Sequence, residues 1–131
     1  MREVTDHVVT EADARLKILA TDGPGPGGAH HRYRISGFDE ADNPSRDESE
    51  RAFQSLVILF QNGPVAEAGV NGVTQEVLLA VVLDRLRAFQ AGPFACRENE
   101  LAITHIAQGL HSLQERTRAR GRRAVEGTNA A

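Results

Sequence analysis

VTQEVLLAVVLDRLRAFQ, residues 73–90, is the stretch that decides the fold of this 131-residue chain. Thr74 offers a helix cap, and Ala91-Gly92-Pro93 follows as a stop signal, so the spacing predicts a helix between them. Its centre, Val77 to Leu83, is apolar at seven consecutive positions. A helix that is apolar on all sides needs cover on all sides, and a small sheet plus one other helix leave part of it facing water. A second copy of the chain is the expected cover. The next helix begins between Cys96 and Asn99 and carries Ile103, Ile106, Leu110 and Leu113 as an apolar stripe, with Gly109 a candidate bend.

Upstream the period is that of strands. HRYRISG from His31 alternates, and AFQSLVILFQNGP from Ala52 reads as a second strand closed by an Asn-Gly-Pro turn. Acidic FDEADNPSRDESE lies between them as a long loop. TEADARLKILA, with Thr10 as cap, reads as a short helix, and DGPGPGG from Asp22 as a linker. Two prolines without N–H donors, and no Gly-Lys-Ser/Thr behind them, exclude a phosphate loop of the Walker type. The expectation is an α+β domain: a two-stranded antiparallel sheet and two long helices, assembled with a further copy of the chain.

Composition limits the chemistry. With 40% hydrophobic residues and no Trp, the chain supports one domain with an aliphatic core. The lone Cys96 excludes an internal disulfide framework and points to a reducing compartment. No run reaches the roughly 20 apolar residues of a membrane span, so no membrane partner is expected. The net charge is -3, which argues against a polymeric nucleic acid as partner. Charge is nonetheless uneven, for residues 1–50 hold 11 acids against 6 bases and residues 51–131 hold 7 against 9. Five arginines fall between 116 and 123, and Lys17 is the chain's one lysine. A guanidinium fork grips phosphate oxygens in pairs as an ammonium does not, although arginine-rich coding bias yields the same composition.

Candidate chemistry is sparse. His30-His31 sits beside the Gly-rich run, and His105 and His111 are six apart on different helix faces, so no metal site and no cofactor is expected. Cys96 stands at a helix start beside Arg97, where a thiol's pKa can be lowered but where a small packed residue is the ordinary occupant, and the structural reading is preferred. No catalytic residue is assigned. Phe89 and Asn99 flank the AGPFAC connector, where an aromatic face stacks on a base and an amide reads its edge; the competing reading makes Phe89 core and Asn99 a cap. Arg116 and Arg120, four apart, share a helix face and suit a pyrophosphate, solvated tail charges being the alternative.

Several segments together carry a resemblance: HRY at 31–33, FQNGP at 60–64, GVNGVT at 69–74, LDRL at 83–86, FQAGPFACREN at 89–99, and ERTRAR at 115–120 followed by VEGT. They resemble the small phage domain shared by Thoeris anti-defence and anti-CBASS sponges, over roughly residues 30–128. On that likeness 1–29 is an N-terminal extension and Gly/Pro linker, 30–128 the sponge domain and 129–131 a tail. The resemblance implies no enzyme but an oligomer, a dimer or a trimer of dimers (hexamer), that sequesters cyclic nucleotide signals in the cytoplasm of an infected host. It implies glycocyclic ADP-ribose as ligand, held by Phe89, Asn99, Arg116 and Arg120, with a further arginine from a neighbouring subunit for which Arg51 is a candidate. Alternatives are a sponge for cyclic di- or trinucleotides, a signal-cleaving enzyme, and a structural phage protein without ligand. A second site for a cyclic trinucleotide has Arg32 and Arg34 as candidates, two apart on one face of a strand.

Asn99 and Arg116 would be about 25 Å apart on one straight helix. One small ligand therefore needs two chains, and antiparallel pairing of second helices supplies both halves.

Overall fold

The computed structural model describes residues 1–122; Arg123, the VEGT segment and the 129–131 tail lie outside the described residues. The chain forms two compact units, Met1–Asn62 and a second that begins at Gly63.

The first unit corrects the expected sheet. It has four strands, not two: β1 (Arg2–Val4), β2 (Lys17–Ala20), β3 (Arg32–Ser36) and β4 (Ser55–Leu59), antiparallel throughout and in sequential order. The helix expected over 10–20 is replaced by a single 3-10 turn, Asp13–Arg15, followed by β2. The N-cap of that turn is Ala12, which has no side-chain cap, but Thr10 and Asp13 are hydrogen-bonded just ahead of it. Asp13 Oδ2 accepts from the Thr10 N–H at 2.9 Å and the Val9 N–H at 3.2 Å, and the Asp13 N–H donates back to Thr10 Oγ1 at 3.4 Å. A one-turn helix is nucleated at a cost that few propagating bonds repay, whereas Lys17–Ala20 gains a ladder on both sides, from β1 and from β3.

The run taken for a linker is the β2–β3 connection. Asp22 organises it: its carboxylate accepts from the His31 N–H at 2.9 Å and the Arg32 N–H at 3.2 Å, and His30 Nδ1 donates to the Asp22 carbonyl at 2.7 Å. Those backbone hydrogen bonds, His31's first, hold the Asp22 carboxyl below its ordinary value. A depressed folded value means that the charged form favours the fold. This contribution is present at neutral pH and is lost only as pH falls below the ordinary carboxylate range and through the depressed value. Asp22→Asn is expected to lower the melting temperature at pH 7, with the gap to wild type closing in acid. A gap that stays constant with pH would reject the assignment.

One glycine is obligatory. Gly37 ends β3 at φ +100°, and a Cβ there would lie 1.8 Å from the Arg15 carbonyl oxygen, so only hydrogen fits where the β1–β2 loop crosses. The register aligns Ile18, Ile35 and Leu56 across one face, and Ala20, Tyr33 and Ile58 beside them, with Ala20 fully buried. Phe60 meets Tyr33 edge to face at 5.7 Å on that side.

The second unit opens with the short helix α1 (Val65–Ala68) and then follows expectation: α2 spans Gln75–Gln90 and α3 spans Arg97–Arg122. Thr74 Oγ1 caps α2 by accepting from the Val77 N–H at 3.2 Å. Of the apolar run only Leu83 is buried, while Val77, Val81 and Val82 stay 49%, 62% and 42% exposed. Half-buried Ile103, Ile106, Leu110 and Leu113 form the inward stripe of α3, which continues through Gly109 and through the arginine segment to Arg122. With 26 residues against 16, α3 overhangs α2 by about 15 Å.

Candidate functional site at the helix connector

The turn between α2 and α3 is closed by side chains, because six residues that leave one helix and enter another strand several backbone groups. Gln90 supplies both halves of the repair: its Oε1 accepts from the Cys96 N–H at 3.1 Å and its Nε2 donates to the Cys96 carbonyl at 3.0 Å. Asn99 Nδ2 donates to the Phe94 carbonyl at 3.4 Å. Gln90→Ala is expected to speed amide hydrogen exchange at Cys96 with little change in melting temperature, since the freed groups are exposed and water replaces the partner. Unchanged exchange at Cys96 would show that the clamp contributes nothing.

Around this turn the aromatic side chains gather. Phe89, half-buried in the last turn of α2, meets Phe94 at 6.3 Å between centroids and 75° between planes. The Arg85 guanidinium, one helical turn earlier, lies 5.0 Å from the Phe89 centroid. Asn99 is half-buried in the first turn of α3. Because Nδ2 carries two protons, the bond to Phe94 leaves one N–H and the Oδ1 acceptor, the donor–acceptor pair that an adenine edge matches. Phe89 and Asn99 are thus neighbours at one end of the hairpin. Arg85 was missed in the sequence, although its spacing of four from Phe89 was a readable signal.

Arg116 and Arg120 are not there. Both lie on the part of α3 beyond the length of α2, one turn apart, with Arg116 exposed and Arg120 half-buried. Seventeen residues of continuous helix put Arg116 about 25 Å along the axis from Asn99. Arg118, on the opposite side, is held by Glu115.

The sheet candidates separate. Arg32 is half-buried and its guanidinium donates to Thr21 Oγ1 at 2.6 Å, whereas Arg34 is exposed between Leu19 and Val57 of the flanking strands. Arg51 stacks on Phe53 at 5.3 Å and lines a cavity of about 390 Å³ in the acidic loop, with Glu40, Asp47 and Glu50 among its walls. Among the described residues the carboxyls whose ionisation is shifted, Asp13, Asp22 and Asp47, all belong to the sheet unit and are lowered by the hydrogen bonds they accept there. Among the described residues no group of three or more His, Cys, Asp or Glu side chains is placed to hold a metal, and no helix is long and apolar enough to cross a membrane.

A meander sheet joined to a helical hairpin, with an aromatic and amide platform at the turn and an arginine pair on the overhang, defines a small α+β hairpin-domain protein. Residues 54–118 match the family model described as Acb2/Tad1, hairpin domain, and the chain belongs to that family. The matched segment contains Phe89, Asn99 and Arg116; Arg120 lies two residues past its end. The chain is 51% identical over 70 residues to "Thoeris anti-defense 1" of Bacillus phage SBSphiJ7. That match takes in 53% of this chain and spans about half, 49%, of the relative.

Proposed function

We propose that this protein is a non-catalytic sponge that sequesters a nucleotide signal of bacterial antiviral defence, with glycocyclic ADP-ribose as its ligand and the infected cell's cytoplasm as its setting. The reading is carried by the 51% identity to a phage protein named for countering Thoeris defence. The chemistry of the hairpin supports it. Phe89 and Asn99 suit a purine, through a ring face and an amide edge, and Arg116 and Arg120 suit the two charges of a pyrophosphate. Since about 25 Å of helix separates the two halves, a single ligand needs the platform of one chain and the arginines of another. Antiparallel pairing of two α3 helices about a twofold axis brings Asn99 to Arg116 of the partner subunit and yields two equivalent pockets per dimer. The exposed Val77 and Val81, one turn apart on α2, give such an assembly an apolar seam.

Holding the signal requires no chemical step. The experiment is calorimetry of the wild-type chain against cyclic ADP-ribose isomers and cyclic di- and trinucleotides, followed by heat release of the bound ligand. Intact glycocyclic ADP-ribose in the released fraction supports sequestration. A cleaved product would favour an enzyme, and no binding to any of the panel would remove the reading. The trinucleotide alternative rests on Arg32 and Arg34, of which Arg34 is the more exposed and Arg32 has one guanidinium nitrogen on Thr21 Oγ1.

A further inference from the structure

Gly109 stands in the middle of α3, and no neighbour among the described residues explains it. Glycine is the poorest helix former after proline, and its ordinary uses are a bend, a positive φ or a close approach by another group. α3 runs unbroken from Arg97 to Arg122, with no positive φ at Gly109. The residue is exposed, and among the described residues a Cβ added there would meet nothing within 4 Å. What is left is close approach from outside the chain. A glycine on an exposed helix face admits a second backbone nearer than the roughly 8–10 Å at which helices with ordinary side chains pack.

The strip of α3 that carries Gly109 is complementary to itself. Positions seven and eleven residues away fall within about 20° of it around the helix, so Glu98, Ala102, Gly109, Arg116 and Arg120 share one line. Glu98 and Arg120 are each eleven residues from Gly109, and Ala102 and Arg116 are each seven. An antiparallel crossing at Gly109 therefore sets Glu98 against Arg120 of the partner subunit, and the small Ala102 against Arg116 of the partner subunit. A parallel crossing would set arginine against arginine. The twofold axis that a shared pocket needs is fixed separately, since the midpoint between Asn99 and the Arg116/Arg120 pair falls between residues 107 and 110. Gly109 lies within that interval.

We infer that Gly109 is the point at which two α3 helices cross on a twofold axis. It is a positioning residue: by letting the two backbones close up, it brings Asn99 of one chain within reach of the arginines of the other. Its effect on the ligand rests on the proposed function, whereas its effect on assembly does not.

Gly109→Gln and Gly109→Ala are compared with wild type by ultracentrifugation, circular dichroism and calorimetry with glycocyclic ADP-ribose. His111→Gln is the control, an exposed position on the other side of α3. Glutamine and alanine both favour a helix more than glycine does, so helicity should hold or rise. Gly109→Gln is expected to weaken self-association, and with it ligand binding, by about tenfold to a hundredfold, because an overpacked crossing forces the helices apart while every pocket residue is intact. Gly109→Ala should weaken both by a smaller factor, and His111→Gln should match wild type. Wild-type mass and affinity in Gly109→Gln, an equal loss in His111→Gln, or a loss of helicity that shows the glycine to be needed inside the chain overturns this inference and leaves the proposed function standing. Dissociation by Gly109→Gln of a wild-type assembly that binds no cyclic nucleotide supports the crossing and overturns the proposed function.

Discussion

Replacing Arg116 and Arg120 together by alanine is expected to weaken glycocyclic ADP-ribose binding by about two to four orders of magnitude. Each guanidinium lost from a phosphate removes a charge-assisted contact of roughly 1.5–3 kcal/mol, about tenfold to a hundredfold or more in affinity. The fold should not notice. Both residues sit on the overhang of α3, and alanine is the strongest helix former, so the melting temperature should hold. Arg118 is the internal control, because it lies on the opposite side of the same segment and is paired with Glu115. Arg118→Ala should keep wild-type affinity within about threefold, a surface pair being worth roughly 1 kcal/mol or less. Lysine at 116 or 120 should rescue in part, since it retains charge without the fork. Affinity unchanged in the double variant would sink the arginine assignment.

Val81→Asp is expected to convert an oligomer into a monomer of 14.2 kDa without unfolding it. The residue is 62% exposed in the chain by itself, so a carboxylate there is solvated in the monomer and buried only in an assembly. A buried, unpaired charge costs on the order of 3–5 kcal/mol, about a hundredfold to several thousandfold in association. Leu83, 2% exposed, is the contrast: Leu83→Asp should unfold the hairpin instead. Since the proposed pocket is shared between chains, monomeric Val81→Asp should also lose the ligand while every residue of the platform is intact. Ultracentrifugation and calorimetry on one preparation read both effects. A wild-type chain that is a clean monomer at micromolar concentration, or a Val81→Asp monomer with full affinity, contradicts the shared site.

Much of the candidate site's geometry is legible in the sequence. Phe89 and Asn99 fall on either side of a Gly-Pro stop and a helix start, so a hairpin with both residues at its turn follows from local signals. The distance between Asn99 and Arg116 follows from helix rise alone. Arg85 is equally legible as a neighbour of Phe89, from its spacing of four on the helix. The exposure of Phe94 is not legible there, because it depends on how the connector is closed by Gln90 and Asn99 from two helices. The hydrogen bond from Arg32 to the Thr21 hydroxyl is not legible either, because Thr21 is brought to β3 by the pairing of β2, a strand with little local signal.

By itself the sequence determined the elements whose signals are close along the chain: the capped start of α2 at Thr74, its end before Gly92-Pro93, the long α3, the alternating β3 and the apolar β4. It also determined that the apolar run Val77 to Leu83 exceeds what one neighbouring helix covers, as the exposed valines show. Tertiary structure alone decided β1 and β2. The three residues of β1 carry too little pattern to be read, and around Thr10 and Asp13 the local signal favours a helix turn that does form. Lys17–Ala20 becomes a strand because its backbone groups find partners in both β1 and β3, residues distant in sequence, and a ladder on two sides outweighs the few bonds that one more helical turn would add.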